Sequence, residues 1–166
     1  MKKIKTYLII SVVALFAVSP VFAEDDNIAK KMNDILLKAV EEGHWQVNAD
    51  ELYMWLKTKK TDFLVVDVRP GADAYREGHI PGAIHIPYNA ILTPESLKSL
   101  PKDKKIVLVC ATGQLENLPV VPLRMLGYDA NTLAFGYAAW VKGSRSGEQM
   151  KAVINKAGTK NYPVEK

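Results

Sequence analysis

The chain has 166 residues, with 22 lysines and arginines, 18 aspartates and glutamates, and one cysteine. Lys2, Lys3 and Lys5 supply most of the net charge of +4; without them the balance is 19 basic against 18 acidic residues, which gives no argument for a nucleic-acid partner. A single cysteine excludes an internal disulfide, so the fold must stand on its apolar core.

The N-terminus reads as a targeting signal. Met1 to Lys5 is basic, Thr6 to Val18 is almost wholly apolar, Ser19-Pro20 breaks a helix, and Val21-Phe22-Ala23 offers a cleavage site after Ala23. The apolar run is short for a membrane span and no stop-transfer pattern follows it. The absence of a cysteine near the cleavage point argues against a bacterial lipoprotein. The expectation is a signal peptide over residues 1–23 and export to the bacterial periplasm, with no membrane span in the mature chain; an uncleaved anchor is the alternative. The remaining 143 residues suffice for a domain with a real core.

Residues 24–47 are expected to form an N-terminal helical extension. Ile28, Met32, Ile35, Leu36 and Ala39 recur at helical spacing over Asn27 to Glu42, closed by Gly43. His44 to Val47 reads as a short strand. Asn48 with Glu51 forms a capping pattern that opens a helix through Lys57. Phe63 to Val68 is a continuous apolar run, as a buried parallel strand requires. A short helix over Ala72 to Glu77 and a short strand over Ala83 to Ile86 follow. Thr93-Pro94 starts a helix to about Leu100. A β-branched strand then ends on Cys110.

Leu115 to Leu126 has helical spacing, and Pro122 within it is expected to cost a backbone hydrogen bond and bend the helix. A strand over Ala130 to Phe135, a short helix over Tyr137 to Val141, a last helix over Ser146 to Lys156 and a polar tail complete the chain. The tract 144–166 is thus a C-terminal helix and tail. Strands alternating with helices predict an α/β fold, a doubly wound parallel sheet of about five strands flanked by helices.

Ligands of such sheets bind at the carboxyl ends of the strands, which is where Cys110 falls. A strand–turn–helix joint directs N–H groups and the positive end of a helix dipole at one point, and a thiol there is a nucleophile. Without further signals, the alternative is a small buried side chain at a strand end. Gly113 lets the following loop bend tightly, and Thr112 and Gln114 carry side chains able to hydrogen-bond. The amides of Ala111, Thr112, Gly113, Gln114, Leu115 and Glu116 are expected to form a cradle. Glu116 suits a helix N-terminus. His44 and His85 lack metal-ligand spacing, and no metal or cofactor is expected.

Asp67-Val68-Arg69, the stretch Tyr75 to Pro87 with Gly78-His79-Ile80-Pro81-Gly82-Ala83, then Cys110-Ala111-Thr112-Gly113, Leu126-Gly127-Tyr128 and Gly136 to Trp140 resemble the signatures of rhodanese-like domains. The resemblance covers residues 48–143. It implies sulfur transfer: Cys110 takes a sulfane sulfur from a small donor, holds it as a persulfide, and passes it to a thiol, a protein acceptor or another nucleophile. It also implies that Asp67, Arg69 and His79 support the fold rather than react, and that Phe135 and Tyr137 border the pocket.

Members that use thiosulfate carry arginine or lysine in the loop, whereas this loop carries no positive charge. Phosphatase relatives need an arginine six residues after the cysteine; Glu116 stands there and excludes that activity. A non-catalytic binding or sulfur-carrier module is the second reading of the same residues. A thiol redox role is the third, and it would need an intermolecular partner. The sequence gives no oligomeric state.

Overall fold

A computed structural model describes residues 21–160 and 162–165. The segment read as a targeting signal, residues 1–23, lies for the most part outside them. Strands β1 (Gln46–Val47), β2 (Phe63–Asp67), β3 (Ile84–His85), β4 (Lys105–Val109) and β5 (Asp129–Leu133) form one sheet. All pairings are parallel and the order is β1-β5-β4-β2-β3, so β4 is central. Its apolar residues are buried because neighbours cover it on both edges and helices on both faces.

Side chains of a strand alternate between faces, and the core divides accordingly. Val66, Ile106, Leu108, Cys110, Leu123 and Ala130 belong to one apolar layer. Leu52, Val65, Ile80, Val107, Val109 and Leu133 belong to the other. Helices α1 (Val21–Glu41), α4 (Pro94–Ser99) and α5 (Val120–Met125) contribute Ile35, Leu97 and Leu123 to the first layer. Helices α2 (Ala49–Lys57), α3 (Ala72–Glu77) and α6 (Tyr137–Trp140) contribute Leu52, Tyr75 and Trp140 to the second. The sheet is therefore doubly wound. Helix α7 (Arg145–Gly158) closes the chain and packs beside α6.

Local signals explain the starts of these helices. The Asn48 side chain accepts a 2.8 Å hydrogen bond from the Glu51 N–H, and Ser144 and Thr93 cap α7 and α4 in the same way. Two expectations need correction. His44 and Trp45 do not belong to a strand: Gly43, His44 and Trp45 all have positive φ, of 64°, 56° and 58°, and only Gln46 and Val47 pair with β5. This turn buries Trp45 under the Arg124 guanidinium, 4.4 Å from the ring centroid.

The single helix expected over Leu115 to Leu126 is two pieces, a 3-10 turn at Leu115–Asn117 and then α5. Pro119 is the N-cap of α5 and Pro122 lies in its first turn, where an N–H has no intrahelical acceptor. Neither proline therefore costs a helical bond. Among the described residues no helix is long and apolar enough to cross a membrane.

Candidate active site

Cys110 follows the last residue of the central strand and is 1% exposed. Its thiol accepts a 3.2 Å hydrogen bond from the Gly113 N–H. Two carbonyls of the loop are tied elsewhere. The Tyr137 N–H donates to the Cys110 carbonyl at 2.8 Å, and the Ala138 N–H to the Ala111 carbonyl at 3.0 Å. Both donors belong to the first turn of α6, which needs external acceptors. The amides of Thr112 and Gln114 have no acceptor among the described residues.

Gly113 and Gly136 make this arrangement possible. Gly113 has φ 93°, and a Cβ there would lie 3.0 Å from the Phe135 Cα. Gly136 has φ 58° and ψ −151°, a region open essentially to glycine alone. The turn carrying Phe135 and Gly136 is thus pressed against the Cys110 loop.

The loop side chains hold one another and the loop backbone. Thr112 and Gln114 hydrogen-bond each other. The Asn117 amide donates to the Gly113 carbonyl and closes the loop from behind. Glu116 lies in the first turn of the 3-10 piece and is buried there. The 3-10 turn directs its side chain inward, where it is 1% exposed and its Oε2 accepts the Cys110 N–H. Burial pushes its carboxyl pKa up to about 7; the hydrogen bonds from Cys110 work against that rise, and the Asp67 charge adds to it.

Asp67 and Arg69 form a buried pair at the end of the neighbouring strand β2, with Arg69 Nη2 2.5 Å from Asp67 Oδ2. The register sets Asp67 opposite Val109, one residue before the cysteine. Arg69 also donates to the Gly78 carbonyl at 2.7 Å and lies 4.5 Å from the Tyr137 ring centroid. This joins the loop after α3 to α6. His79 is exposed, stacked 3.9 Å from the Tyr75 ring, with Nδ1 2.9 Å from the Tyr75 carbonyl. His85 Nε2 lies 2.8 Å from the Arg69 carbonyl. Among the described residues no three histidine, cysteine or acidic side chains gather as a metal site.

Two cavities flank the loop. One, of about 650 Å³, is bordered by Thr112, Gly113, Gln114 and the apolar side chains of Phe135, Val153 and Ile154. The other, of about 400 Å³, is bordered by Ala111, Arg69, Tyr137 and Arg145. Arg145 is a cation beside the loop that sequence reasoning missed, because it arrives from the start of α7, far along the chain.

A doubly wound parallel sheet with one thiol in a tight loop at its carboxyl edge defines a class of α/β domains with a cysteine at a strand end. Residues 48–143 match the family model described as a rhodanese-like domain, and the chain belongs to that family. It is 35% identical over 82 residues to a tRNA sulfurtransferase of Desulfurococcus amylolyticus, covering 49% of this chain and 16% of that protein. It is 34% identical over 93 residues to a probable adenylyltransferase/sulfurtransferase MoeZ of Mycobacterium tuberculosis, covering 55% of this chain and 23% of that protein. The chain therefore spans less than a quarter of the length of these curated relatives. A rhodanese-like domain protein from Staphylococcus aureus superposes with a TM-score of 0.53 at 31% identity, over 60% of this chain and 93% of that one. The BH2092 protein of Bacillus halodurans superposes with a TM-score of 0.56 at 28% identity, over 65% and 79%.

Proposed function

We propose that this protein transfers sulfane sulfur through a persulfide on Cys110. The observation that carries the reading is the Cys110 thiol held at 3.2 Å from the Gly113 N–H, in a loop whose Cys110 and Ala111 carbonyls are tied back to α6. A persulfide is anionic near neutral pH, and loop amides without acceptors beside the thiol suit an added anionic sulfur. Membership of the family and the sulfurtransferase names of distant relatives support the same chemistry.

In the first half-reaction the Cys110 thiolate attacks the terminal sulfur of the donor. A new S–S bond forms, the donor's own bond to that sulfur breaks, and its electron pair leaves with the donor remnant, which is sulfite when thiosulfate is used. In the second half-reaction an acceptor thiolate attacks the outer sulfur, and Cys110 leaves as thiolate. The acceptor is a small thiol or a protein nucleophile. A leader over residues 1–23 would place this chemistry in the bacterial periplasm.

The test is a turnover assay with thiosulfate and with an organic persulfide, each with a thiol acceptor. Sulfur delivery by the wild type and none by Cys110→Ser supports the reading; equal delivery by both contradicts it. The 1% exposure of Cys110 favours a second reading, a sulfur-carrier or docking module without turnover of its own. A folded wild type that is inactive with every small donor and acceptor would favour that reading.

A further inference from the structure

Glu116 stands apart from every other carboxylate described in the chain. It is 1% exposed, and among the described residues no lysine, arginine or histidine pairs with it. Its Oε2 accepts the main-chain N–H of Cys110, the residue that carries the thiol, and Asp67 acts on it from β2. Asp67 is already neutralised by Arg69. Two acidic groups, a thiol and a carboxyl, therefore share one buried space without a cation of their own. Two anions so close in a medium of low polarity repel strongly, so the site favours a single negative charge.

We propose that Glu116 is the proton acceptor and donor for Cys110, taking the thiol proton as sulfur is loaded and returning it as sulfur leaves. The assignment rests on the sulfur-transfer reading for its role in turnover. In loading, the S–H bond of Cys110 breaks and an O–H bond forms on Glu116, so the site's one negative charge moves from carboxylate to thiolate. The thiolate then displaces the donor remnant and becomes a persulfide anion beside a neutral carboxylic acid. In discharge, the acceptor thiolate takes the outer sulfur, and Cys110 departs with its bonding electron pair. The O–H bond of Glu116 breaks, and the proton returns to sulfur. The carboxyl's rise to about 7 leaves both of its forms accessible near neutral pH. A neutral Glu116 also removes the repulsion that a fixed carboxylate would exert on an anionic donor or persulfide.

Two measurements on the full chain test this. In the first, the protein is labelled with carboxyl-¹³C glutamate, and Glu116 is assigned by its absence from Glu116→Gln. Its titration is followed by NMR before and after persulfide loading of Cys110. The expected result is a transition near neutrality in the thiol form that moves to higher pH when the persulfide is present. A carboxyl titrating in the ordinary range in the thiol form, or one unmoved by a loaded persulfide, overturns the assignment.

In the second, the rate of Cys110 alkylation by the neutral reagent iodoacetamide is followed against pH. Glutamine keeps an oxygen to accept the Cys110 N–H but cannot take its proton. Glu116→Gln is expected to lose the inflection near neutrality and to react about ten-fold more slowly there. A profile in the variant matching the wild type overturns the assignment. Alkylation and the thiol-form titration need no sulfur donor. A protein that never forms a persulfide therefore sinks the sulfur-transfer reading while these readouts still decide the role of Glu116. Should Glu116→Gln fail to fold, the titration of the wild type, assigned then by Glu116→Asp, decides alone.

Discussion

A Cβ atom on Gly136 would lie 2.6 Å from the carbonyl oxygen of Cys110. The same atom would also lie 2.8 Å and 3.0 Å from the amide nitrogens of Gly113 and Thr112. These neighbours are backbone and cannot swing aside. The turn after β5 therefore acts as a mould for the cysteine loop, and Gly136 is the point of closest approach. Gly136→Ala is expected to cost about 2–4 kcal/mol, from a backbone conformation closed to alanine and from the clash itself. Chemical denaturation measures the loss. The companion expectation is slower alkylation of Cys110 under conditions where the variant remains folded.

Glu116 gives stability a particular pH dependence. Its carboxyl has an ordinary pKa of 4.5 in the unfolded chain and about 7 in the folded one. Between those values the folded state holds a proton that the unfolded state has released. Stability from this group is therefore complete below about 4.5 and falls as pH rises toward 7, by an amount on the order of a few kcal/mol. Urea unfolding at pH values on either side of this window should show the decline in the wild type. Glu116→Gln should flatten it and be the more stable of the two at alkaline pH.

Arg124 is expected to matter for stability rather than chemistry. Its guanidinium donates to the Ala130 carbonyl at 2.8 Å, Glu42 at 2.8 Å and Asp129 at 2.9 Å, and it covers Trp45. It thereby ties α1 to α5 and β5. Burial acts to raise the Asp129 pKa, but hydrogen bonds from Lys105 and Asn131 and the charges of Lys105 and Arg124 outweigh it, and the carboxyl stays below its usual range. The stability Asp129 contributes is present above its unfolded pKa and is lost as pH falls through its folded one. Arg124→Ala is expected to destabilise the fold by about 1–2 kcal/mol, since it strips two part-buried acceptors and uncovers Trp45. Thermal unfolding measures this, with the alkylation rate of Cys110 unchanged.

Arg145 tests how the site handles charge. It shares a cavity with Ala111 of the cysteine loop, while the loop itself carries no cation. Arg145→Ala is expected to raise KM for the thiosulfate dianion about two- to five-fold, the scale of one exposed charge, and to raise KM for a singly charged organic persulfide less. Steady-state kinetics with the two donors measure the difference.

The sheet was legible because Phe63 to Val68 and Ile106 to Val109 are apolar runs that only buried parallel strands accommodate, and the helices before them carry ordinary caps. Cys110 and Gly113 were legible for the same reason, as a strand end followed by a bend. Glu116 was not. Helical spacing from Leu115 onward reads as one helix, whereas a 3-10 turn advances each side chain by about 120° and carries Glu116 into the interior. Phe135, His44 and Trp45 adopt left-handed conformations that side chains rarely take, and no residue type announces them. Arg145 reaches the loop only through the packing of α6 against α7, a long-range contact that local sequence does not encode.

The central claim is that Cys110 carries transferable sulfur. Intact-mass and peptide mass spectrometry after incubation with an organic persulfide test it most directly. A gain of one sulfur atom is expected, located on Cys110, absent from Cys110→Ser, and lost again on adding a thiol acceptor. A wild type that gains no sulfur, or a Cys110→Ser variant that gains it equally, would contradict the account.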